Sequence, residues 1–298
     1  MKRQRIHGSR GDFIFTIVNY FLMGLLLLVV LYPLVFILSA SFSSTEAVIA
    51  GKVWLWPVEP NLEGYKAAFK SNQIATGFLN SLIYTVAGTF VNVIITLLAA
   101  YPMSRRDLYG KNLLMFVFVF TMMFNGGLIP NYLLVKDLGM LDTRWALILP
   151  GALSIWNMII ARTYFQQTIP KELLEAAQMD GCNDFKFLGK VVLPLSGPII
   201  AVIALFYAVG HWNQFFLALI YLRDQALLPL QIILRNILIQ NSIQDAMLAD
   251  AESAAHLAGL RELLKYSTIV IATAPILIVY PFVQRFFVKG MMIGSLKG

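Results

Sequence analysis

The sequence predicts an all-α integral membrane protein with six transmembrane helices and both termini on the cytoplasmic side. Three observations predict it. Of 298 residues, 58% are hydrophobic and only 13% charged, with a mean hydropathy of +0.72. A soluble chain carries roughly 25% charged residues, so this one cannot cover a globule of its size with a wetted surface. Six apolar runs, residues 13–41, 77–103, 112–130, 144–161, 197–221 and 266–287, approach or exceed the length a helix needs to cross a hydrocarbon core, about 20 residues. With six alternating crossings, the inner segments hold 14 Lys/Arg against 6 acids, and the outer ones 9 against 10. That bias follows the positive-inside rule. It accounts for the net charge of +7 without nucleic acid, and the composition sets aside soluble enzyme and disordered chain alike.

Residues 1–12 form a basic tail through Lys2, Arg3, Arg5 and Arg10, a topological anchor within reach of anionic lipid. The run over 13–41 is nearly twice the apolar core of a cleavable signal, about 7–15 residues, so it reads as a retained span. An extracellular loop over 42–76 follows. The other five spans fill residues 77–287, with an inner loop at 167–196, an outer loop at 222–265 and a short inner tail at 288–298. In the outer loop Leu230, Ile233, Leu234, Ile237 and Leu238 recur at helical spacing and predict an amphipathic helix.

No Asp, Glu, Lys or Arg lies deep in a span, and His211 is the one imidazole there. Carriers driven by ions or protons use intramembrane ionisable groups as relays, so the energy for transport comes from outside the bilayer. The pairs Gly51-Lys52, Gly110-Lys111 and Gly189-Lys190 are not followed by Ser or Thr, so none ends a phosphate-cradling loop. If ATP is the source, a partner chain binds it with Mg, and this chain itself takes no cofactor. Cys182, the only cysteine, excludes an internal disulfide, and a single His makes no metal site.

The 167–196 loop is the most informative stretch. Pro170 suits the first turn of a helix, and Glu172 and Glu175 sit near its positive end. Gly181 suits a left-handed C′ position, and Asn183 suits the cap of a second helix. Leu173, Leu174 and Ala177 share a face, and the small Ala176 and Ala177 allow close approach of a partner backbone. A helix, a glycine turn and a second helix therefore project on the basic side, either as a plain connector or as a knob for a protein groove.

Glu175-Ala176-Ala177, three residues, Gly181, nine residues, then Val191-Val192-Leu193-Pro194 resembles the EAA loop of binding-protein-dependent ATP-binding-cassette importers. Val191 stands where that family's pattern has Ile. The resemblance implies a type I importer permease fold that performs no chemistry of its own. It assigns ATPase coupling to Glu175, Ala176, Ala177, Gly181, Leu193 and Pro194. It also implies partners: a second homologous permease, two cytoplasmic ATPase subunits carrying ATP and Mg, and an extracellular solute-binding protein. Ser41-Phe42-Ser43-Ser44, residues 60–65, Asn80-Ser81 and Trp212-Asn213 resemble the sugar-importing branch, like the smaller permease of maltose-type systems, whose outer loop corresponding to 222–265 enters the binding protein. The run Asn125–Pro130 resembles a subgroup for complex oligosaccharides, some containing uronic acids.

Asn157, Tyr207, Trp212, Asn213 and Gln214 put polar or amphipathic groups at membrane depth. Two readings stand for them: glue between helices, or a sugar path built of aromatic faces and amides. For the whole chain, a permease for amino acids or phosphate, an ion-coupled carrier and a non-transporting scaffold remain as competitors to the carbohydrate importer.

Overall fold

The computed structural model describes residues 10–244 and 251–295, so Lys2, Arg3 and Arg5 of the basic tail lie outside the described residues, as do 245–250 and 296–298. Every regular element among the described residues is helical. The chain forms two compact units: residues up to Lys70 with Ile237–Ile271, and Ser71–Asn236 with the residues from Ala272 onward.

In the first unit, α1 (Arg10–Ser41) presents exposed apolar side chains along nearly its whole length, as lipid-facing helices do. Its end is polar and closed. Ser39 Oγ donates to Leu55 O at 2.7 Å, and Ser43 Oγ donates to Ser39 O at 2.7 Å while accepting from Val58 N at 3.1 Å. Ser44 caps α2 (Thr45–Ile49) by accepting from Ala47 N, and Ser41 meets the Tyr65 hydroxyl at 2.8 Å. The serines at 41–44 thereby tie down the loop that leads to α3 (Glu63–Lys70). Ala40, Ala47 and Val53 form a small core, beside which Phe36 packs edge-on against Tyr266.

The second unit is organised by α4 (Asn72–Ser104). Gly77, Ser81, Tyr84, Gly88, Asn92, Thr96, Ala100 and Met103 recur three or four residues apart along its buried stripe. Small and polar residues at such a seam let neighbouring helices approach and bond, which is how helices associate where lipid is as apolar as leucine. Two helices pack on it most extensively, α8 (Ile155–Thr168) and α12 (Gly197–Trp212).

Three of the predicted spans are not continuous helices. The 112–130 run divides into α5 (Lys111–Met123) and α6 (Leu128–Asp137), bent by 111°. Gly126 and Gly127 supply the break, and Asn125 Oδ1 accepts from Gly127 N at 3.0 Å. The 144–161 run holds only the four-residue α7 (Trp145–Ile148) before Leu149-Pro150-Gly151 interrupts it, and α8 starts at a Ser154 cap. Pro150 lacks the N–H that would continue the ladder. In the 197–221 run Asn213–Phe215 separates α12 from α13 (Phe216–Tyr221). By length and composition three helices among the described residues can cross a membrane, or up to five counting each bent pair as one span.

The predicted amphipathic helix is α14 (Leu230–Gln244), with Leu230, Ile232 and Ile233 buried. The last helix, α15 (Ala251–Ser295), covers the predicted sixth span and extends past both its ends.

Candidate functional site

The 169–196 segment folds as its sequence predicts at the turn. Helix α9 (Lys171–Met179) is preceded by Pro170 in extended conformation, one position earlier than the first helical turn. At its other end Cys182 N donates to Ala177 O at 2.9 Å and Gly181 N to Gln178 O at 3.0 Å. Gly181 has φ +71°. These paired bonds around a left-handed residue make a Schellman cap, which satisfies carbonyls that a helix end leaves orphaned. Asn183 Oδ1 then accepts from Lys186 N at 2.9 Å and caps α10 (Asp184–Phe187). A π-helical turn over Leu188–Val192 leads to α11 (Leu193–Leu195), which holds Leu193 and Pro194, and the chain bends by 85° into α12.

The two faces of α9 differ from the predicted grouping. Leu174 and Ala177 turn inward with Cys182, onto a core that includes Met158, Phe165, Phe187 and Val192. Leu173 does not join them. It lies exposed, with Glu175 and Ala176 also exposed, and Met179 (89%) and Phe185 (79%) open to solvent. A short element that leaves a methionine and a phenylalanine uncovered has surface suited to a protein groove.

The knob is seated on the turn after α4. Arg105 Nη1 donates to Asp184 Oδ1 at 2.6 Å and to the Tyr101 hydroxyl at 3.0 Å, while Nε and Nη2 engage Asp107 in bidentate fashion at 2.8 and 2.5 Å. The guanidinium holds the Asp107 carboxyl below the usual carboxylate range, and Asp107 in turn raises Arg105. The last carbonyls of α4 are covered by side chains: Arg162 Nε reaches Met103 O at 3.0 Å, Gln166 Nε2 reaches Ser104 O at 3.2 Å, and Lys111 Nζ reaches Arg105 O at 2.7 Å. Cations at a helix C-terminus also complement its dipole.

At membrane depth the structure gathers a second polar cluster, around the break between α7 and α8. Asn92 Nδ2 donates to Gly151 O at 3.4 Å and to His211 Nε2 at 3.0 Å. His211 Nδ1 pairs with Gln214 Oε1 at 3.3 Å, and Gln214 Nε2 reaches Leu147 O at 3.4 Å. Tyr207 accepts from Ser154 N at 2.9 Å and shares a 2.6 Å bond with Thr96 Oγ1. Broken backbone at this depth survives only where neighbours satisfy it.

Of the predicted path residues, Tyr207 and Gln214 therefore meet at this break. Trp212 is buried, donating Nε1 to Ala272 O at 2.8 Å with Phe78 edge-on to its ring. Asn157 is buried near the Ser154 cap. Asn213 is exposed and bonds only within its own helix, to Val209 O at 2.9 Å. The sequence reading missed Asn92 and Thr96, although the stripe of small and polar residues through 77–103 carries them. It also missed Arg105, for which no local signal exists. Asn80 and Ser81 anchor the stretch before α14, through Asn80 Nδ2 to Ala226 O at 2.7 Å and Leu230 N to Ser81 Oγ at 2.9 Å. Among the described residues no three His, Cys, Asp or Glu side chains converge to hold a metal.

Comparison with known proteins identifies the family. Residues 64–293 match the family described as binding-protein-dependent transport system inner membrane component. The polygalacturonan/rhamnogalacturonan transport system permease protein YtcP of Bacillus subtilis is 43% identical over 285 residues, covering 96% of this chain and 99% of the relative. Protein LplC of the same organism is 40% identical over 293 residues, covering 98% of each. A crystal structure of a bacterial ABC transporter involved in the import of the acidic polysaccharide alginate superposes with a TM-score of 0.85 at 36% identity, over 94% of this chain and 99% of that one. The chain belongs to the family of binding-protein-dependent transport system inner membrane components.

Proposed function

We propose that the chain is the permease subunit of an ATP-driven importer whose cargo is an oligosaccharide containing uronic acid. The observation that carries the coupling half is the capped knob, whose Leu173, Met179 and Phe185 face solvent while Leu174 and Ala177 anchor it inward. Family membership brings an ATPase and a solute-binding protein as partners. The finer assembly pairs this chain with a second homologous permease and two ATPase subunits, which bind ATP and Mg. Glu175, Ala176, Ala177 and Gly181 enter the ATPase cleft, and Leu193 and Pro194 close the knob's base. The loop over 222–265 faces the binding protein. ATPase closure moves the knob, and the spans rock between two access states.

The cargo class is drawn from relatives named for pectic polymers and from the alginate importer. Asn213 and Asn157 are the candidates we assign to the passage. Tyr207, Trp212 and Gln214 spend their polar atoms on backbone and neighbouring side chains, so we assign them to holding the passage walls.

Uptake of labelled digalacturonate into proteoliposomes of the assembled complex tests the reading. ATP-dependent accumulation that persists with a protonophore at constant ATP is the expected result. Uptake abolished by the protonophore would instead make this an ion-coupled carrier. Accumulation of maltose with none of digalacturonate would overturn the cargo class alone.

A further inference from the structure

We propose that Arg105 is a positioning residue for coupling: through Asp184 it fastens the knob to the end of α4, so that knob and α4 move as one lever. The proposal rests on reading the knob as the ATPase contact. Arg105 follows the last residue of α4, and its side chain is only 12% exposed, whereas Asp107 and Asp184 are each 64% exposed. A guanidinium so shielded has lost much of its hydration and needs protein oxygens in its place. Asp107, two residues along on the same turn, already provides a full bidentate neutralisation. The second carboxylate, Asp184, comes from 79 residues away and is surplus to local charge balance. Its effect is to join the knob to α4.

The knob needs such a second attachment. Its covalent route to α12 passes through the π-helical turn Leu188–Val192 and then an 85° bend. Non-α turns of this kind are weak joints and mark places where helices yield. Between α9 and the turn after α4 lies an open cleft of about 510 Å³, with Arg105 and Lys111 on one wall and Lys171, Glu175 and Gln178 on the other. The Arg105–Asp184 pair spans from the cleft's α4 side to the knob. From there α4 runs, as one continuous helix, to Thr96 and Asn92, which bond to Tyr207 and His211 of α12. A pull on the knob thus reaches the membrane-depth cluster along a single helix that carries Pro102 near its end, and Arg105 is the pin.

The test measures ATP hydrolysis by the assembled complex in proteoliposomes, with and without its solute-binding protein. Asp184→Asn alters an exposed side chain and should leave ATPase subunits bound and basal hydrolysis normal. It should cut binding-protein stimulation by about five-fold or more, the size of an ordinary allosteric coupling. Arg105→Gln should match it, and the double variant should be no worse than either single. Asp184→Glu should recover stimulation. Arg105→Lys should fall between, because an ammonium cannot hold both carboxylates in a planar fork. Full stimulation in Asp184→Asn, or additive losses in the double variant, would overturn the latch. If Arg105→Gln fails to insert, Asp184→Asn and Asp184→Glu decide. Gly181→Val serves as the control. Loss of stimulation there with none in Asp184→Asn sinks the latch alone, whereas normal stimulation in Gly181→Val removes the knob from the mechanism altogether.

Discussion

Asn92 donates its amide to His211 Nε2 across 3.0 Å, which leaves the ring neutral with its Nδ1 hydrogen directed at Gln214 Oε1. Two helices and a broken one are joined by that contact, since Asn92 also reaches Gly151 O. The imidazole lies directly against Gly88, where a Cβ would collide with the ring.

Gly88→Ala should therefore destabilise by pressing on the His211 ring, whose Nε2 is the atom nearest to the added Cβ. Forcing a methyl into a packed site costs about 1–3 kcal/mol. The melting temperature of the detergent-solubilised complex should drop, and a compensating His211→Asn change should restore much of it. An unchanged melting temperature in Gly88→Ala would show that the ring has room to move.

Tyr207→Phe separates wall from passage. It removes the acceptor for the half-buried Ser154 N and the partner of the buried Thr96 hydroxyl, a loss of about 1–3 kcal/mol. Thermal stability should fall while the KM for digalacturonate stays near the wild-type value. A raised KM with normal stability would put the phenol in contact with cargo.

At Gly181 the obstacle to a side chain is the backbone, because a Cβ there meets nothing within 4 Å. With φ at +71°, an ordinary residue pays roughly 1–2 kcal/mol and asparagine less. Stimulated ATP hydrolysis should rank Gly181 above Gly181→Asn, and both above Gly181→Val. Equal rates in all three would mean the turn's shape is immaterial to coupling.

The depressed Asp107 carboxyl gives the seat of the knob an acid limit. A group whose folded value lies below its unfolded one, about 3.9, stabilises fully above that value and loses the contribution as pH falls through the folded one. The stability gap between wild type and Asp107→Asn should hold from pH 7 to about 5, then close below about 4. Chemical denaturation of the solubilised complex across that range checks it. A gap that does not narrow as pH falls through the carboxylate range would remove the charge from the account.

How much was legible follows the range over which each feature is decided. The Schellman turn at Gly181 and the cap at Asn183 are settled by half a dozen neighbouring residues, so sequence alone places them. The serines at 41–44 and the pair Asn80-Ser81 were visible as patterns, but their bonds to Val58 N, the Tyr65 hydroxyl and Ala226 O were not. Leu173 and Leu174 are consecutive, so they point about 100° apart on the helix, and only the arrival of Met158, Phe165 and Val192 decides which of them turns inward.

Membrane residence and an all-helical architecture follow from the sequence by itself, because lipid demands apolar runs and internally satisfied backbone. The tertiary structure alone decided where those runs break and what they do there. The break at Leu149–Ser154 is stable because Asn92 and Tyr207, remote in sequence, bond Gly151 O and Ser154 N, while Gln214 of the second break reaches back to Leu147 O. The same holds for Arg105 and Asp184, whose attraction acts only once folding has brought the end of α4 beside the knob.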